Sequence, residues 1–324
     1  MEQEQPVRRS RRKKKKFRLR GIVFLMFIAI LAIGAYAFMQ FQSGHKLAEE
    51  NSELPTIAFD GDPENKDFEN ILVLGVDARG DEISRTDTMM LVSHNKKTDE
   101  VKVTSFMRDI YATIPGYQSY KLNTAYYLGV KETGKVEDGV ALLADTIRSM
   151  FGVEIQHFAM IDFKSFEKLV DVAAPNGVEI DVEKAMSKHI GVTLTPGVQQ
   201  LNGKELLGYA RFRADNEGDF GRVRRQQQVM SALKEEVVSV SAIPKYPKLA
   251  GAAQGYIQTD LTVGDQIKMA TSVAMNGGAG VERLTLPVKG SYSFASYPHA
   301  GSVIEMNLEQ NKQALSEFLS QPLD

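Results

Sequence analysis

The chain of 324 residues has no cysteine and only five histidines. Without thiols there are no disulfides, no thiolate nucleophiles, no iron–sulfur ligation and no cysteine-containing zinc site, and five scattered imidazoles argue against a dedicated transition-metal centre. Chemistry must rest on carboxylates, arginine, lysine and hydroxyls. With 43% apolar and 25% charged residues the composition is that of a globular protein of one large or two small domains, which excludes a collagen-like or globally disordered chain.

The net charge of −2 hides two unlike parts. Residues 1–20 carry ten basic side chains (Arg8, Arg9, Arg11, Arg12, Lys13 to Lys16, Arg18 and Arg20) against Glu2 and Glu4, so the tail is +8 and the remainder −10. Directly after it, Gly21 to Met39 runs for 19 residues without a charge. At about 1.5 Å rise per residue this length approaches the roughly 30 Å of a bilayer core, which predicts one transmembrane signal-anchor helix over 21–40. The basic flank then stays in the cytoplasm, and the acidic bulk faces outward from the cell membrane as a single-pass protein. A cleaved signal peptide with Ala35-Tyr36-Ala37 as its site is the alternative, weakened because such apolar cores usually span about 7 to 15 residues. A nucleic-acid-binding arm is disfavoured, because the basic run leads into a membrane segment and the remaining chain is acidic.

Residues 41–69 read as an extracytoplasmic linker, and 70–324 as one domain. ILVLGVD (71–77), TMMLVSH (88–94) and VKVTSFM (101–107) read as three strands of a meander. Helical periodicity follows over 136–152, a strand over 157–163, a helix over 164–173 and a strand over 178–182. Helices over 201–210, 222–240 and 262–277, a strand over 281–288 and a helix over 307–319 complete an α/β domain with a mixed sheet flanked by helices.

In a meander, the end of the first strand, the start of the second and the end of the third share one sheet edge. Asp77, Asp87 and Arg108 therefore converge, with Arg85 and Asp109 beside them. Two carboxylates among guanidinium groups suit magnesium plus a phosphate; the bland alternative is a set of surface turn residues with ion-pair partners. A second group lies in YARFRADNEGDFGRVRRQQQ (209–228). Arg211 and Arg213 project the same way if extended, Arg222, Arg225 and Gln226 share a helix face, and Asp219 is placed to cap that helix. Arginines in the first turns oppose the helix dipole unless an anion binds there, where they add bidentate donors to the free N–H groups. Lys121, in KLNTAYYLG (121–129), is either a further phosphate ligand or a surface lysine. Apolar stretches near 141–150 and 158–170 either line a lipid tunnel or are core.

These motifs resemble the LytR-CpsA-Psr family, in its MsrR/Psr branch. The similarity covers the tail, the apolar segment and nearly all of 70–324, and rests on ILVLGVD, SRTDTMMLVS, SFMRDIYATIPGY, KLNTAYYLG and LNGKELLGYARFRADNEGDFGRVRRQQQV. It implies an α/β/α sandwich that binds a polyprenyl-pyrophosphate lipid in a hydrophobic cleft and transfers a glycopolymer, such as wall teichoic acid, to peptidoglycan. By the resemblance, Asp77 and Asp87 would hold Mg2+, and Arg85, Arg108, Lys121, Arg211, Arg213, Arg222 and Gln226 would surround the pyrophosphate. Asp219 would orient the second arginine group. Phe106-Met107 and Gly129-Val130 depart from the commoner Ile-Pro and Gly-Gly, and neither removes a phosphate ligand.

Phosphoryl transfer asks a protein mainly to position groups and neutralise charge, so this kit suffices without cysteine or histidine. Asp87 or Asp109 is the expected base for an attacking sugar hydroxyl. The competing classes are a regulatory protein without catalysis and a polyprenyl-pyrophosphate hydrolase in which water replaces the hydroxyl.

Overall fold

The computed structural model describes residues 34–47, 57–77, 85–98, 100–238, 244–268 and 281–320. The basic tail and most of the expected membrane span lie outside the described residues. Among the described residues no helix is long and apolar enough to cross a membrane.

Residues 34–47 form helix α1. Strands β1 (Phe68–Val76), β2 (Thr86–Asn95) and β3 (Val101–Phe106) form the expected meander. β4 (Tyr111–Thr113), β5 (Ser119–Lys121), α2 (Thr124–Thr133), α3 (Val136–Phe151), β6 (His157–Asp162) and α4 (Phe163–Ala173) follow. Then come β7 (Val178–Val182), β8 (Gly197–Leu201), α5 (Gly203–Arg211), α6 (Gly218–Val238), α7 (Tyr246–Tyr256) and β9 (Gln258–Thr259). Helical residues 263–268 (α8), β10 (Glu282–Leu286), β11 (Tyr292–Tyr297), β12 (Gly301–Met306) and α9 (Leu308–Ser320) end the described chain.

The central sheet has the order β10-β3-β2-β1-β6-β9. β1 is antiparallel to β2 and parallel to β6, and β10 is parallel to β3, so the sheet is mixed. The side-chain period of two divides β1 between two jobs. Leu72, Leu74 and Val76 enter a core with Leu143, Ile147 and Phe151 of α3. Val73, Gly75 and Asp77 line a cavity on the opposite face, roofed by α4, α5 and α6. Close approach of α2 and α3 beneath the first face depends on glycine: a Cβ on Gly129 would sit 2.4 Å from the Asp138 carbonyl oxygen.

Local signals set the helix ends. Asp162 caps α4 by accepting from Ser165 N, and Asn202 and Glu205 form a capping box on α5. α2 and α3 stop at left-handed Gly134 and Gly152. The stretch read as linker is not free of the domain. Residues 41–47 are helical, the Tyr256 hydroxyl donates to Leu47 O at 2.7 Å, Ile57 is buried, and Asp62 accepts from Arg148 Nε at 2.9 Å.

A smaller core under the β7–β8 hairpin joins Val178, Ile180 and Leu201 to Leu206, Tyr209 and Val229. Arg224 of α6 fastens this hairpin, binding Glu183 at 2.7 Å through Nη2 and Glu217 at 2.8 Å. The hydrogen bond from Arg224 holds the Glu183 carboxyl down at about 2, against an ordinary value of 4.5. A depressed carboxyl stabilises the fold above its unfolded pKa and loses that effect as pH falls through its folded one. Glu183→Gln is therefore expected to unfold earlier than the parent at pH 7, with the gap closing between pH 4.5 and about 2. Urea midpoints of both proteins across that range check this; a gap unchanged at the acid end would refute it.

Candidate functional site

The cavity between the sheet and helices α4 to α6 encloses about 530 Å³. Part of its wall is apolar, from Val73, Met90, Phe163, Phe166, Leu207 and Val229. Another part is charged, lined by Asp77, Asp87, Arg108, Arg211, Arg213, Arg222 and Gln226. Apolar walls of this kind suit a hydrocarbon, and the arginines suit an anion.

Backbone geometry aims the charged groups. In the β1–β2 ladder Gly75 faces Thr88 while Val76 faces Thr86, so Asp87 is the extra residue of a β-bulge. Such a bulge re-aims a side chain, and here Asp87 joins Thr88 on the cavity side. The Arg108-Asp109 turn is pinned by Met107 N to Leu286 O at 3.0 Å, Asn123 N to Arg108 O at 3.2 Å and Ile304 N to Asp109 O at 2.8 Å.

Arg108 is the hub. Its Nη1 donates to Asp87 Oδ1 at 2.6 Å, and its Nε lies 3.8 Å from Asp109 Oδ2 and 3.7 Å from Asp219 Oδ1. Arg222 reaches Asp219 at 2.9 Å and Asp87 at 3.9 Å, and Arg211 reaches Asp77 at 3.8 Å. The Nε atoms of Arg108 and Arg222 are buried without a hydrogen-bond partner. Burial opposes the Arg108 charge, yet Asp219, Asp87 and Asp109 outweigh it and raise its pKa. Arg222 is pushed the other way, because burial and neighbouring cations exceed the help from Asp219 and Asp87. Burial likewise raises the Asp219 carboxyl despite Arg222 and Arg108.

Several expected positions differ. Arg225 shares no cavity with Arg222: it is fully buried, donates from Nη1 to Phe212 O at 2.9 Å and pairs with Asp215. Asp219 does not cap the helix, because α6 already starts at Gly218; Asp215 accepts from Glu217 N at 3.1 Å and Gly218 N at 3.2 Å instead. Asp219 lies in the first turn and holds Arg222. Lys121 does not line this cavity; its Nζ is 2.8 Å from Asp109 Oδ1. Arg85 is exposed, with its guanidinium 5.7 Å from the Tyr127 ring centre, and is not among the cavity-lining residues. The stretch 141–150 belongs to the core around Leu143 and Ile147, whereas Ile161, Phe163 and Phe166 of 158–170 do line the cavity. Lys188 and His189, also at the cavity, come from a loop with no periodic signal, His189 having a left-handed φ of 63°.

Among the described residues no group of three or more histidine or acidic side chains is arranged to hold a metal by itself. Asp77 and Asp87, two carboxylates at neighbouring strand ends, match the set that magnesium takes when phosphate oxygens and water complete its shell. Arg108, Lys188, Arg211, Arg213 and Arg222 against Asp77 and Asp87 leave the cavity lining at +3, which suits an anion.

A family model described as the LytR_cpsA_psr family matches residues 35–316. The chain is 42% identical over 287 residues to the regulatory protein MsrR of Staphylococcus aureus, covering 88% of this chain and 85% of MsrR. It is 32% identical over 295 residues to the polyisoprenyl-teichoic acid–peptidoglycan teichoic acid transferase TagU of Oceanobacillus iheyensis, covering 87% of each. A solved structure of TagT bound to LIIa-WTA superposes with a TM-score of 0.60 at 25% identity, over 79% of this chain and 92% of that one. By a family match spanning most of its length and relatives this similar over this coverage, the chain belongs to the LytR-CpsA-Psr family, on the side of MsrR.

Proposed function

We propose that this protein is a membrane-anchored phosphotransferase. It moves a glycopolymer, wall teichoic acid or one like it, from a polyprenyl-pyrophosphate carrier to peptidoglycan on the outer side of the cell membrane. The observation that carries this reading is the single cavity that puts an apolar chamber against four arginines and two carboxylates. The prenyl chain fits the apolar end, and the pyrophosphate meets Arg108, Arg211, Arg213 and Arg222. Similarity to TagU, whose name states this transfer, points the same way.

Asp77 and Asp87 would hold Mg2+, which adds two positive charges opposite the pyrophosphate. In the reaction an acceptor hydroxyl oxygen bonds to the phosphorus on the glycan side. The bond from that phosphorus to the bridging oxygen breaks, and its electron pair leaves on prenyl monophosphate. The hydroxyl proton passes to a carboxylate. Asp109 takes this role in preference to Asp87, which would be engaged by the metal ion, and Lys121 at 2.8 Å orients Asp109. The remaining work is positional and electrostatic.

The name of MsrR keeps a regulatory reading in view, and the same cavity would then sense the lipid. A transfer assay separates the readings: the full chain in detergent with magnesium, a synthetic prenyl-pyrophosphate glycan and a peptidoglycan oligomer. A phosphodiester-linked product that disappears on chelation is expected. Cleavage to a free phosphorylated glycan would instead mean hydrolysis, and lipid binding without cleavage a sensor.

A further inference from the structure

A second cavity, of about 300 Å³, lies beside the Arg108 cluster, between the Met107–Asp109 turn, the start of α6 and the β11–β12 hairpin. Asp109 and Asp219 line it, and both carboxylates also face Arg108, at 3.8 and 3.7 Å from its Nε. Arg108 lines the first cavity and its partners Asp109 and Asp219 line the second, so the two cavities adjoin at this cluster. The charged residues lining this one are all acidic, with Asp215 and Glu217 completing the set. Each of these carboxylates is already paired with a cation outside the lining, so the cavity offers an anion no free positive charge, while hydroxyl donors find acceptor oxygens.

Its rim is aromatic. Phe220, in the turn of α6 next to Asp219, stacks on Tyr292 of β11 at 5.1 Å and 25°. Phe294 stands two residues further along the same face of β11, edge-on to Tyr292 at 5.8 Å, and is 70% exposed. An exposed phenylalanine is unremarkable alone; at the mouth of a carboxylate-lined cavity, in a row ending at the reactive cluster, it is a platform. An aromatic face beside hydroxyl acceptors is the recognition set for a pyranose, whose axial C–H groups pack on the ring while its hydroxyls bond to carboxylates.

We infer that this second cavity is the acceptor subsite, binding an uncharged stretch of hydroxyl-rich glycan with a sugar ring on Phe294 and the attacking hydroxyl at Asp109. The inference rests on the transferase reading and assigns its acceptor side. Donor and acceptor then meet at the Asp87–Arg108–Asp109 cluster, each from its own cavity, and the glycan enters without crossing the lipid chamber.

The test is Phe294→Ala in the full-length protein, with Phe294→Tyr as the conservative variant. The Michaelis constant for a peptidoglycan glycan oligomer should rise about tenfold in Phe294→Ala, recover in Phe294→Tyr, and be accompanied by a change of less than about twofold in that for the prenyl-pyrophosphate donor. An unchanged acceptor constant, or an equal rise for the donor, overturns the assignment. Saturation-transfer NMR with the glycan oligomer alone reports on the subsite even if no transfer product forms. Contacts present in the parent and lost in Phe294→Ala keep the subsite while the transferase reading falls. Contacts absent from the parent, equal in both proteins, or displaced by a free stem peptide overturn the subsite itself.

Discussion

Arg108→Ala is expected to lower the turnover of glycopolymer transfer by about a thousandfold or more, within the range seen when a charge-stabilising arginine is removed from phosphoryl-transfer sites. Arg108 is the side chain that meets Asp87, Asp109 and Asp219 together, so its loss removes one donor to the pyrophosphate and leaves three carboxylates facing the space it occupied. The charge of the cavity lining then falls from +3 to +2. Arg108→Lys restores the charge without the planar fork that spans Asp87 on one side and the Asp109–Asp219 pair on the other, and should recover little activity. Arg222→Ala should behave similarly, because Asp219 would lose its 2.9 Å partner and Arg222 is the more deeply buried cation of the two. Steady-state transfer rates, with circular dichroism to confirm folding, check all three. Near-parental turnover in Arg108→Ala would sink the assignment of the charged end as the phosphate site.

How far the sequence reached is clearest around that hub. The meander was legible because three apolar runs of strand length stand close together, and antiparallel connection alone brings Asp77, Asp87 and Arg108 to one edge. The bulge at Asp87 was not legible, since one extra residue leaves the apolar pattern unchanged while redirecting a side chain. Helix α6 shows a finer limit. At about 100° per residue, Arg225 lies about 60° to one side of Arg222 and Gln226 about 40° to the other. Both count as the same face in a sequence pattern, yet the cavity receives Gln226 and the interior receives Arg225. The strands β4, β5 and β9, of two or three residues, are too short for a period, and β8 (GVQQL) has no apolar alternation. β11 and β12 mix tyrosine, serine and glycine, so the hairpin that presents Phe294 gave no apolar signal, and the second cavity went unseen with it. The membrane segment, the clearest signal in the sequence, falls largely outside the described residues.

The inward turn of Arg225 has a testable cost. Removing it by Arg225→Ala is expected to destabilise the domain by about 3 kcal/mol or more, the range for breaking one side of a buried ion pair. The guanidinium is fully buried, stacked 5.1 Å from the Phe212 ring centre and bonded to Phe212 O, and its partner Asp215 has a side chain only 9% exposed. Without it Asp215 keeps Lys184 at 3.1 Å, a half-exposed cation that screens part of the penalty. Phe212 O loses its donor as well. At about 2 to 4 °C per kcal/mol for a domain of this size, the melting midpoint should fall by roughly 10 °C. Because the loss is chiefly an uncompensated buried charge, removing that charge should reverse much of it: Arg225→Met with Asp215→Asn keeps volume and the turn acceptor, and is expected to regain over half of the lost stability. The same pair joins Phe212 and Asp215, in the loop that carries Arg213, to α6, which carries Arg222. Loosening it should therefore also raise the donor Michaelis constant in Arg225→Ala, while the double variant restores stability first and donor affinity with it. A melting midpoint unchanged in Arg225→Ala would show that the buried pair contributes no stability.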